Sequence, residues 1–143
     1  MNSFLTLNKQ LCFAIYEASS QMTKLYSNIL QPFQLTYPQY LVLLALWEED
    51  GVTVKQLGDT LGIGTGTLTP MLNRMEAQQW LRKERSKQDE RRVHLHLEPK
   101  AYEQQQLIAE AVSSKVASCH IDQQQYEQLL EQLHMLKEKL QLP

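Results

Sequence analysis

Apolar residues recur every three or four positions from residue 5 to about residue 29, which is the spacing of one face of an amphipathic helix. Pro32 is expected to end this first long helix. A second helix is predicted to begin after Thr36, whose hydroxyl can cap it, with Pro38 in its first turn. The residues of this helix up to Trp47 are apolar on nearly every side, which predicts the buried centre of the domain.

Two shorter helical segments follow, separated by a turn that contains two glycines. The first is predicted over Val54–Leu61 with Thr53 as its N-cap, and the turn is Gly62-Ile63-Gly64. The second runs from about Thr65 to Gln78, and its inward-facing side chains are Leu68, Met71, Leu72 and Met75. A helix, a tight turn and a helix of these lengths are typical of a helix-turn-helix motif.

Pro70 constrains where the second of these helices begins, because proline has no N–H to donate to the fourth preceding residue. The proline fits best if Thr67 is the N-cap, since the N–H groups of the first turn have no intrahelical partners. If Thr65 is the N-cap, Pro70 lies just beyond that turn and should bend the helix.

The apolar period changes to two in the next segments, as it does in β-strands. Residues 80–85 and 92–97 alternate in this way, and the charged segment Ser86–Arg91 joins them, which predicts a β-hairpin with a polar tip. A hairpin directly after the two helices predicts a mainly α fold with a small β-hairpin wing, which is a winged helix-turn-helix.

Two further helices are predicted after the hairpin. The first runs from Pro99 to about Ser118, and residues 122–125 have the pattern of a capping box for the second, which is rich in leucine. The winged domain needs only residues 37–98, so the segments 1–36 and 99–143 are surplus to it. The winged domain offers these segments little surface against which to bury their apolar faces. We therefore expect them to be dimerisation helices that make a symmetric homodimer.

Charge is distributed unevenly along the chain, whose formal net charge is −2. Residues 70–97 hold seven Lys and Arg residues against four Asp and Glu residues, a local charge of +3, which leaves −5 for the rest. A basic segment in an otherwise acidic chain is typical of nucleic-acid binding, although the net charge alone argues against such a partner.

Several features favour a cytoplasmic protein without a membrane partner. The start of the chain has no secretion signal, and the longest apolar run, residues 40–47, is too short to cross a bilayer. Cys12 and Cys119 are far apart in the sequence and form no CxxC pair, so both are expected to be free thiols at rest.

The order of elements resembles that of the MarR family of transcription regulators over nearly the whole chain. Gly66–Glu76 is similar to the recognition helix of that family, and Lys87–Arg92 is similar to its wing motif Asp-x-Arg, here Asp89 and Arg91. Within the family, Gln10–Tyr16 resembles the first-helix motif of the organic-hydroperoxide-sensing repressors, the OhrR group. The resemblance implies a repressor rather than an enzyme, and it requires no cofactor.

The helix-turn-helix and the wing predict the DNA contacts, because a recognition helix offers outward side chains to the major groove. Threonine can contact a thymine methyl group, asparagine suits adenine, and wing arginines suit a narrow minor groove. The candidates are Thr65, Thr67, Thr69, Pro70, Asn73 and Arg74 on the helix and Arg85, Asp89, Arg91 and Arg92 on the wing. The alternative is a solvated charged loop in a winged domain that binds protein.

Cys12 has two interpretations, a small buried hydrophobic residue or a redox-active thiol. The resemblance implies that it is the peroxidatic thiol, with Tyr26 and Tyr37 as the phenols that hydrogen-bond it. Tyr26 follows fourteen residues later, about 21 Å along a straight helix, so it can reach Cys12 only across an antiparallel pairing of two subunits. Tyr16, one turn away, is the one of the three that can reach Cys12 within its own chain.

Cys119 is matched by the resemblance to the resolving thiol, which attacks the Cys12 sulfenic acid of the other subunit to form a disulfide. The alternative is an incidental surface cysteine. His94 and His96 alternate onto one strand face and could ligate a metal with a third group, but no His or Cys lies nearby in sequence. We therefore expect solvated wing histidines and no metal.

The sequence predicts a dimeric repressor that binds double-stranded operator DNA with an inverted repeat and releases it when an organic hydroperoxide oxidises Cys12. One alternative is a MarR-type regulator that binds a phenolic or other small ligand between wing and dimerisation helices, with inert cysteines. A second alternative is a thiol peroxidase, against which the basic wing argues.

Overall fold

A computed structural model describes residues 5–141 of the chain. The elements, in order, are a 3₁₀ turn (Leu7–Lys9), α1 (Leu11–Leu30), a 3₁₀ turn (Gln31–Phe33), α2 (Tyr37–Glu48), α3 (Val54–Leu61), α4 (Thr65–Ala77), β1 (Leu81–Arg85), β2 (Val93–Leu97), α5 (Pro99–Ala117) and α6 (Gln123–Leu140). They divide into two compact units between Ile108 and Ala109. The predicted winged helix-turn-helix with a two-stranded hairpin is confirmed.

The first helix is shorter than predicted. It begins at Leu11 rather than near residue 5, because Gln10 has an extended backbone that separates α1 from the preceding 3₁₀ turn. At its other end α1 stops at Leu30, two residues before Pro32, and the left-handed Gln34 (φ 57°) ends the 3₁₀ turn that follows. The first four residues lie outside the described part of the chain.

Side-chain caps begin α2, α3 and α6 where the sequence predicts them. Thr36, Thr53 and Asp122 each accept a hydrogen bond from the backbone N–H three residues later. The side chains at those third positions, which are all Gln, accept from the cap residue's own N–H, so each capping box is complete. A cap of this kind stabilises a helix by about 1 kcal/mol.

Two glycines allow the tight turn between α3 and α4. Gly62 ends α3 in the left-handed region with φ 68°, which costs glycine little and other residues more. Gly58 allows a close approach that the sequence analysis missed, because a Cβ there would lie 2.8 Å from the carbonyl oxygen of Ile63. The two glycines together set how closely the two helices pack.

Neither threonine proposed as the cap of α4 is the cap. The helix begins one residue earlier, at an extended Gly64 whose carbonyl accepts from the N–H groups of Thr67 and Leu68 at 3.1 and 2.9 Å. A backbone carbonyl therefore starts this helix without any side-chain cap. As a consequence Pro70 lies inside α4 and has no N–H to donate to the carbonyl of Gly66.

The core of the first unit lies between α2, the helix-turn-helix and the wing. The predicted inner face of α4 is buried, and it meets the inner faces of α2, α3 and the strands. The buried residues include Leu30, Val42, Leu43, Leu46, Leu57, Leu68, Leu72, Met75, Trp80, Leu81 and Leu95. The prediction that α2 is the buried centre holds except at Leu44, which is exposed.

The wing pairs β1 with β2 in an antiparallel register that places Lys83 opposite Leu95. The loop before α3 also pairs with β2, because Gly51 N–H donates to the Leu95 carbonyl and Leu95 N–H donates to the Val52 carbonyl, both at 2.9 Å. Asp50 Oδ1 accepts from the Leu97 N–H at 2.9 Å. These bonds attach the wing to the residues that precede α3.

The second unit contains the end of α5 and the whole of α6. No described side chain of α6 is buried, and its exposed apolar side chains recur at helical spacing at Tyr126, Leu129, Leu130, Leu133 and Leu140. These side chains form one exposed apolar stripe on an otherwise polar helix. None of the described helices is long and apolar enough to span a membrane.

Candidate nucleic-acid interface and candidate thiol site

A cleft of about 890 Å³ lies between the wing and the starts of α3 and α4. Six of the residues predicted to contact DNA line it, namely Thr65, Thr69, Arg85, Asp89, Arg91 and Arg92. Thr53, Lys55, Gln56 and Lys83 also line the cleft and were missed by the sequence analysis. Their positions depend on the pairing of the wing with the loop before α3, for which the sequence carries no local signal.

The predicted contacts on α4 are all exposed and fall on two neighbouring stripes. Thr65, Thr69 and Asn73 are spaced by four residues and share one face of the helix. Thr67, Pro70 and Arg74 are spaced by three and four residues and form the adjacent stripe. The buried residues of α4 occupy the opposite side, so the helix presents one polar surface to the cleft and to solvent.

One wing residue is bonded to α4 twice. The Lys83 backbone N–H donates to Glu76 Oε2 at 2.8 Å, and Lys83 Nζ donates to Asn73 Oδ1. Strand β1 is therefore attached to the exposed side of α4 as well as to its buried side, where Leu81 packs. Asn73, which the sequence predicts to contact adenine, accepts this hydrogen bond from Lys83.

The wing tip is held by its own polar groups. Asp89 Oδ1 accepts from the Arg91 N–H at 3.0 Å, and Asp89 Oδ2 lies 3.9 Å from Arg92 Nε. The Ser86 hydroxyl accepts from the N–H groups of Gln88 and Asp89 at 3.3 and 3.4 Å. Asp89 thus shapes the turn, as aspartate does in many tight turns, and leaves the two arginines exposed.

The histidines of β2 are not simply solvated, so that expectation is wrong. His94 Nδ1 lies 2.9 Å from the Gly51 carbonyl oxygen, and His96 Nε2 lies 3.4 Å from Glu84 Oε2. Both rings are half-buried, because the loop before α3 covers the face of β2 on which they stand. Within residues 5–141, no group of three or more His, Cys, Asp or Glu side chains is arranged to hold a metal ion.

Cys12 is exposed in the single chain. It is the second residue of α1, and its thiol lies 3.8 Å from Gln10 Oε1. Cys119 is also exposed and lies just beyond the end of α5, with Sγ 3.5 Å from the Lys115 carbonyl oxygen. Neither cysteine forms a disulfide within the described part of the single chain.

The tyrosines matched to Cys12 form a cluster at the far end of α1. The ring of Tyr26 lies 5.2 Å from that of Tyr37 and 5.6 Å from that of Tyr40, measured between centroids. Tyr40 was not among the predicted residues. Cys12 and Tyr26 stand on the same continuous helix, fourteen residues or about 21 Å apart, so the structure does not bring them together within one chain. Tyr16 is exposed one turn from Cys12.

Comparisons with known proteins agree with this architecture. A family model described as transcriptional regulator SarA/Rot matches residues 24–111. The organic hydroperoxide resistance transcriptional regulator of Bacillus subtilis is 50% identical over 91 residues, which are 64% of this chain and 62% of that protein. MgrA of Staphylococcus aureus is 43% identical over 113 residues, 78% of this chain and 76% of that protein.

A third relative is longer than this chain. TtmR of Methylorubrum extorquens is 48% identical over 95 residues, which are 66% of this chain and 49% of that protein. The chain thus spans about half the length of TtmR and under two thirds of the Bacillus regulator.

Solved structures of AbfR, a protein of Staphylococcus epidermidis, match most of the chain. Reduced AbfR bound to DNA has a TM-score of 0.80 at 36% identity, covering 94% of both chains. Overoxidized AbfR bound to DNA has a TM-score of 0.78 at 38% identity, covering 94% of this chain and 95% of that one. Disulfide-formed AbfR has a TM-score of 0.69 at 38% identity and covers 91% of both.

Proposed function

Because this chain belongs to the SarA/Rot family of MarR-like transcriptional regulators, we propose that it is a homodimeric repressor whose hold on operator DNA is controlled by Cys12. Residues 1–36 would then carry the sensor cysteine and part of the dimer interface. Residues 37–98 would bind DNA, and residues 99–143 would complete the dimer.

The cleft between α4 and the wing is the observation that carries the DNA-binding part of the proposal. Its lining combines the threonines of one α4 stripe with five basic side chains, at Lys55, Lys83, Arg85, Arg91 and Arg92, against two acidic ones, at Glu76 and Asp89. Lysine and arginine in such a cleft neutralise phosphates, while an exposed helix face reads base edges. The DNA-bound structures of AbfR support the same use of this fold here.

In the proposed complex α4 enters the major groove and the wing reaches the adjacent minor groove. Base and backbone contacts on α4 come from Thr65, Thr67, Thr69, Pro70, Asn73 and Arg74, and those on the wing come from Arg85, Arg91 and Arg92. Asp89 acts indirectly, since its carboxylate is bonded to the wing backbone. An acidic side chain in that role orients the arginines without meeting a phosphate.

The first prediction concerns the wing tip. Arg91→Ala and Arg92→Ala should each weaken operator binding about tenfold and flatten its salt dependence, because each removes a cation from the DNA interface. Fluorescence anisotropy of labelled operator over a series of salt concentrations measures both effects. Arg82→Ala is the matched control, since the Arg82 guanidinium lies 3.6 Å from Glu98 Oε1 and does not line the cleft. An equal loss in the control would contradict the wing contact.

The exposed apolar side chains of α1 support the dimer. Leu11, Ile15 and Met22 face solvent in the single chain although their spacing makes one continuous stripe. A stripe of this kind marks a protein contact, and a two-fold axis would let each subunit cover the stripe of the other.

A dimer of this kind would also complete the thiol site. Antiparallel pairing of the two α1 helices would bring Cys12 beside the partner's Tyr26 and Tyr37, which neither chain can do alone. A tyrosine hydroxyl directed at sulfur favours the thiolate, which is the form that attacks peroxide.

The proposed oxidation consumes one organic hydroperoxide for each disulfide. The Cys12 thiolate attacks one peroxide oxygen, the O–O bond breaks, the alcohol leaves after taking a proton, and Cys12 becomes a sulfenic acid. The Cys119 thiol of the partner subunit then attacks the Cys12 sulfur, water leaves, and a disulfide joins the subunits. Two electrons pass from the two thiols to the hydroperoxide.

Two kinds of relative support this chemistry. The Bacillus protein is named for organic hydroperoxide resistance, and AbfR has been solved in reduced, overoxidized and disulfide forms. Both thiols of this chain lie outside residues 24–111, the part that matches the family model. The proposed sensing role therefore falls on residues outside the matched segment.

The second prediction tests both thiols together. One equivalent of cumene hydroperoxide should convert the protein to a dimer-sized band on a non-reducing gel, and dithiothreitol should restore the monomer band. The band should be absent in Cys12→Ser and in Cys119→Ser, because each bridge needs one thiol of each kind. A dimer band that persists in either variant would show a different pairing and overturn the assignment.

A further inference from the structure

Lys83 joins the wing to a residue that faces DNA in the proposed complex. It lies in the middle of β1, opposite Leu95, and its ammonium group donates a hydrogen bond to Asn73 Oδ1 on α4. Its backbone N–H is held by Glu76 Oε2 at 2.8 Å, which fixes the point from which the side chain reaches. The backbone bond thus places the Lys83 side chain within reach of Asn73.

This contact determines which way the amide of Asn73 faces. An ammonium group has three donors and no acceptor, so only the carbonyl oxygen of an amide can meet it. The opposite orientation would place the amide NH₂ against the NH₃⁺ group. Asn73 is exposed and shares its stripe with Thr65 and Thr69, which line the cleft. The side chain therefore meets a base in the groove with Nδ2 as its available group.

An asparagine in this state can donate to adenine N7 but cannot make the two-bond contact by which asparagine recognises adenine. Recognition of adenine by asparagine uses Oδ1 to accept from N6 and Nδ2 to donate to N7 at the same time. Oδ1 keeps a second lone pair, but an adenine amino group that approached it would meet the positive charge of Lys83. Guanine and thymine instead present keto oxygens, which accept from Nδ2 and are attracted by the ammonium group.

We propose that Lys83 is a specificity-determining positioning residue, which holds Asn73 as a hydrogen-bond donor and directs one position of each operator half-site to a keto base, guanine or thymine. The inference rests on the proposed DNA binding and goes beyond it, because it assigns base preference to a wing residue. It also replaces the expectation that Asn73 reads adenine.

The test is selection of binding sites from a randomised DNA duplex library by the reduced, full-length protein. Wild type should favour keto bases over adenine about fivefold or more at one position of each half-site, and Asn73→Ala should lose the preference at that position. Lys83→Met should also enrich adenine at that position, because the Asn73 amide is then free to rotate. Lys83→Arg should retain the keto preference, since arginine also offers only donors.

The matched control is Lys87→Met, which removes the same charge from the wing tip. It should lower affinity for every sequence and leave the preference at the Asn73 position unchanged. The proposal is overturned if Lys83→Met keeps the wild-type preference, which would mean that Lys83 acts only on phosphate. It is equally overturned if Asn73→Ala alters no position. If wild type enriches no sequence at all, the proposed DNA-binding function fails as well.

Discussion

Cumene hydroperoxide is expected to release the wild-type protein from its operator and to leave Cys12→Ser bound. The apparent affinity of wild type should fall about 5- to 150-fold, the usual size of a coupling between two sites. Serine cannot form a sulfenic acid, so the variant should keep its affinity within experimental error. Anisotropy of labelled operator, with protein titrated before and after one equivalent of peroxide, measures the difference.

The physical reason is that the distance between the two recognition helices of the dimer must match the distance between the two operator half-sites. Half-sites on one face of DNA lie about 34 Å apart, and a change of a few ångströms in the dimer misplaces one α4. Helix α1 packs on α2, whose Leu43 and Leu46 belong to the same core as Leu68 and Leu72 of α4. A bridge at Cys12 that moves α1 would therefore be transmitted to the DNA-binding surface through packed side chains.

Cys119→Ser separates the disulfide from the oxidation that precedes it. This variant can oxidise Cys12 but cannot form the bridge, so we expect it to stay on the operator after peroxide treatment. The DNA-bound structure of overoxidized AbfR supports this expectation. Release of Cys119→Ser as complete as that of wild type would assign the effect to the oxidised sulfur of Cys12 itself.

Release of Cys12→Ser from the operator by peroxide would contradict thiol sensing. Release of the wild-type protein by a phenolic ligand without loss of thiols would favour the small-molecule alternative.

Leu129→Glu combined with Leu133→Glu should convert the protein to a monomer and abolish operator binding. The two side chains are 52% and 49% exposed in the single chain and belong to the apolar stripe of α6. Burying each leucine in a dimer contributes about 1.5–3 kcal/mol, whereas burying an unpaired carboxylate is strongly unfavourable. A monomer contacts only one half-site, so affinity should fall toward the non-specific level, by about 1000-fold or more.

Light scattering coupled to size-exclusion chromatography measures the mass of this variant, and anisotropy measures its DNA binding. The matched control is Gln124→Glu with Gln128→Glu, which adds the same two charges to α6 away from the apolar stripe. The control should remain dimeric and bind DNA. A leucine variant that is still dimeric would show that α6 is not at the interface, and a monomer with full operator affinity would contradict binding as a dimer.

Local patterns of the sequence were sufficient for most of the fold. Capping boxes need only residues three positions apart, so Thr36, Thr53 and Asp122 predict the starts of α2, α3 and α6 correctly. The change of apolar period at residue 80 likewise predicts the wing. The starts of α1 and α4 were misplaced because Gln10 and Gly64 act through backbone conformation, which leaves no side-chain signature.

The sequence alone determined the winged helix-turn-helix, the basic wing, and the impossibility of a contact between Cys12 and Tyr26 within one chain, since helical rise depends only on residue number. Only the tertiary structure decided which polar side chains meet. Lys83 and Asn73 are ten residues apart and Asp50 and Leu97 are 47 apart, and neither pair lies in one element. Such contacts follow from how a strand packs on a helix or against a preceding loop, which local spacing cannot encode.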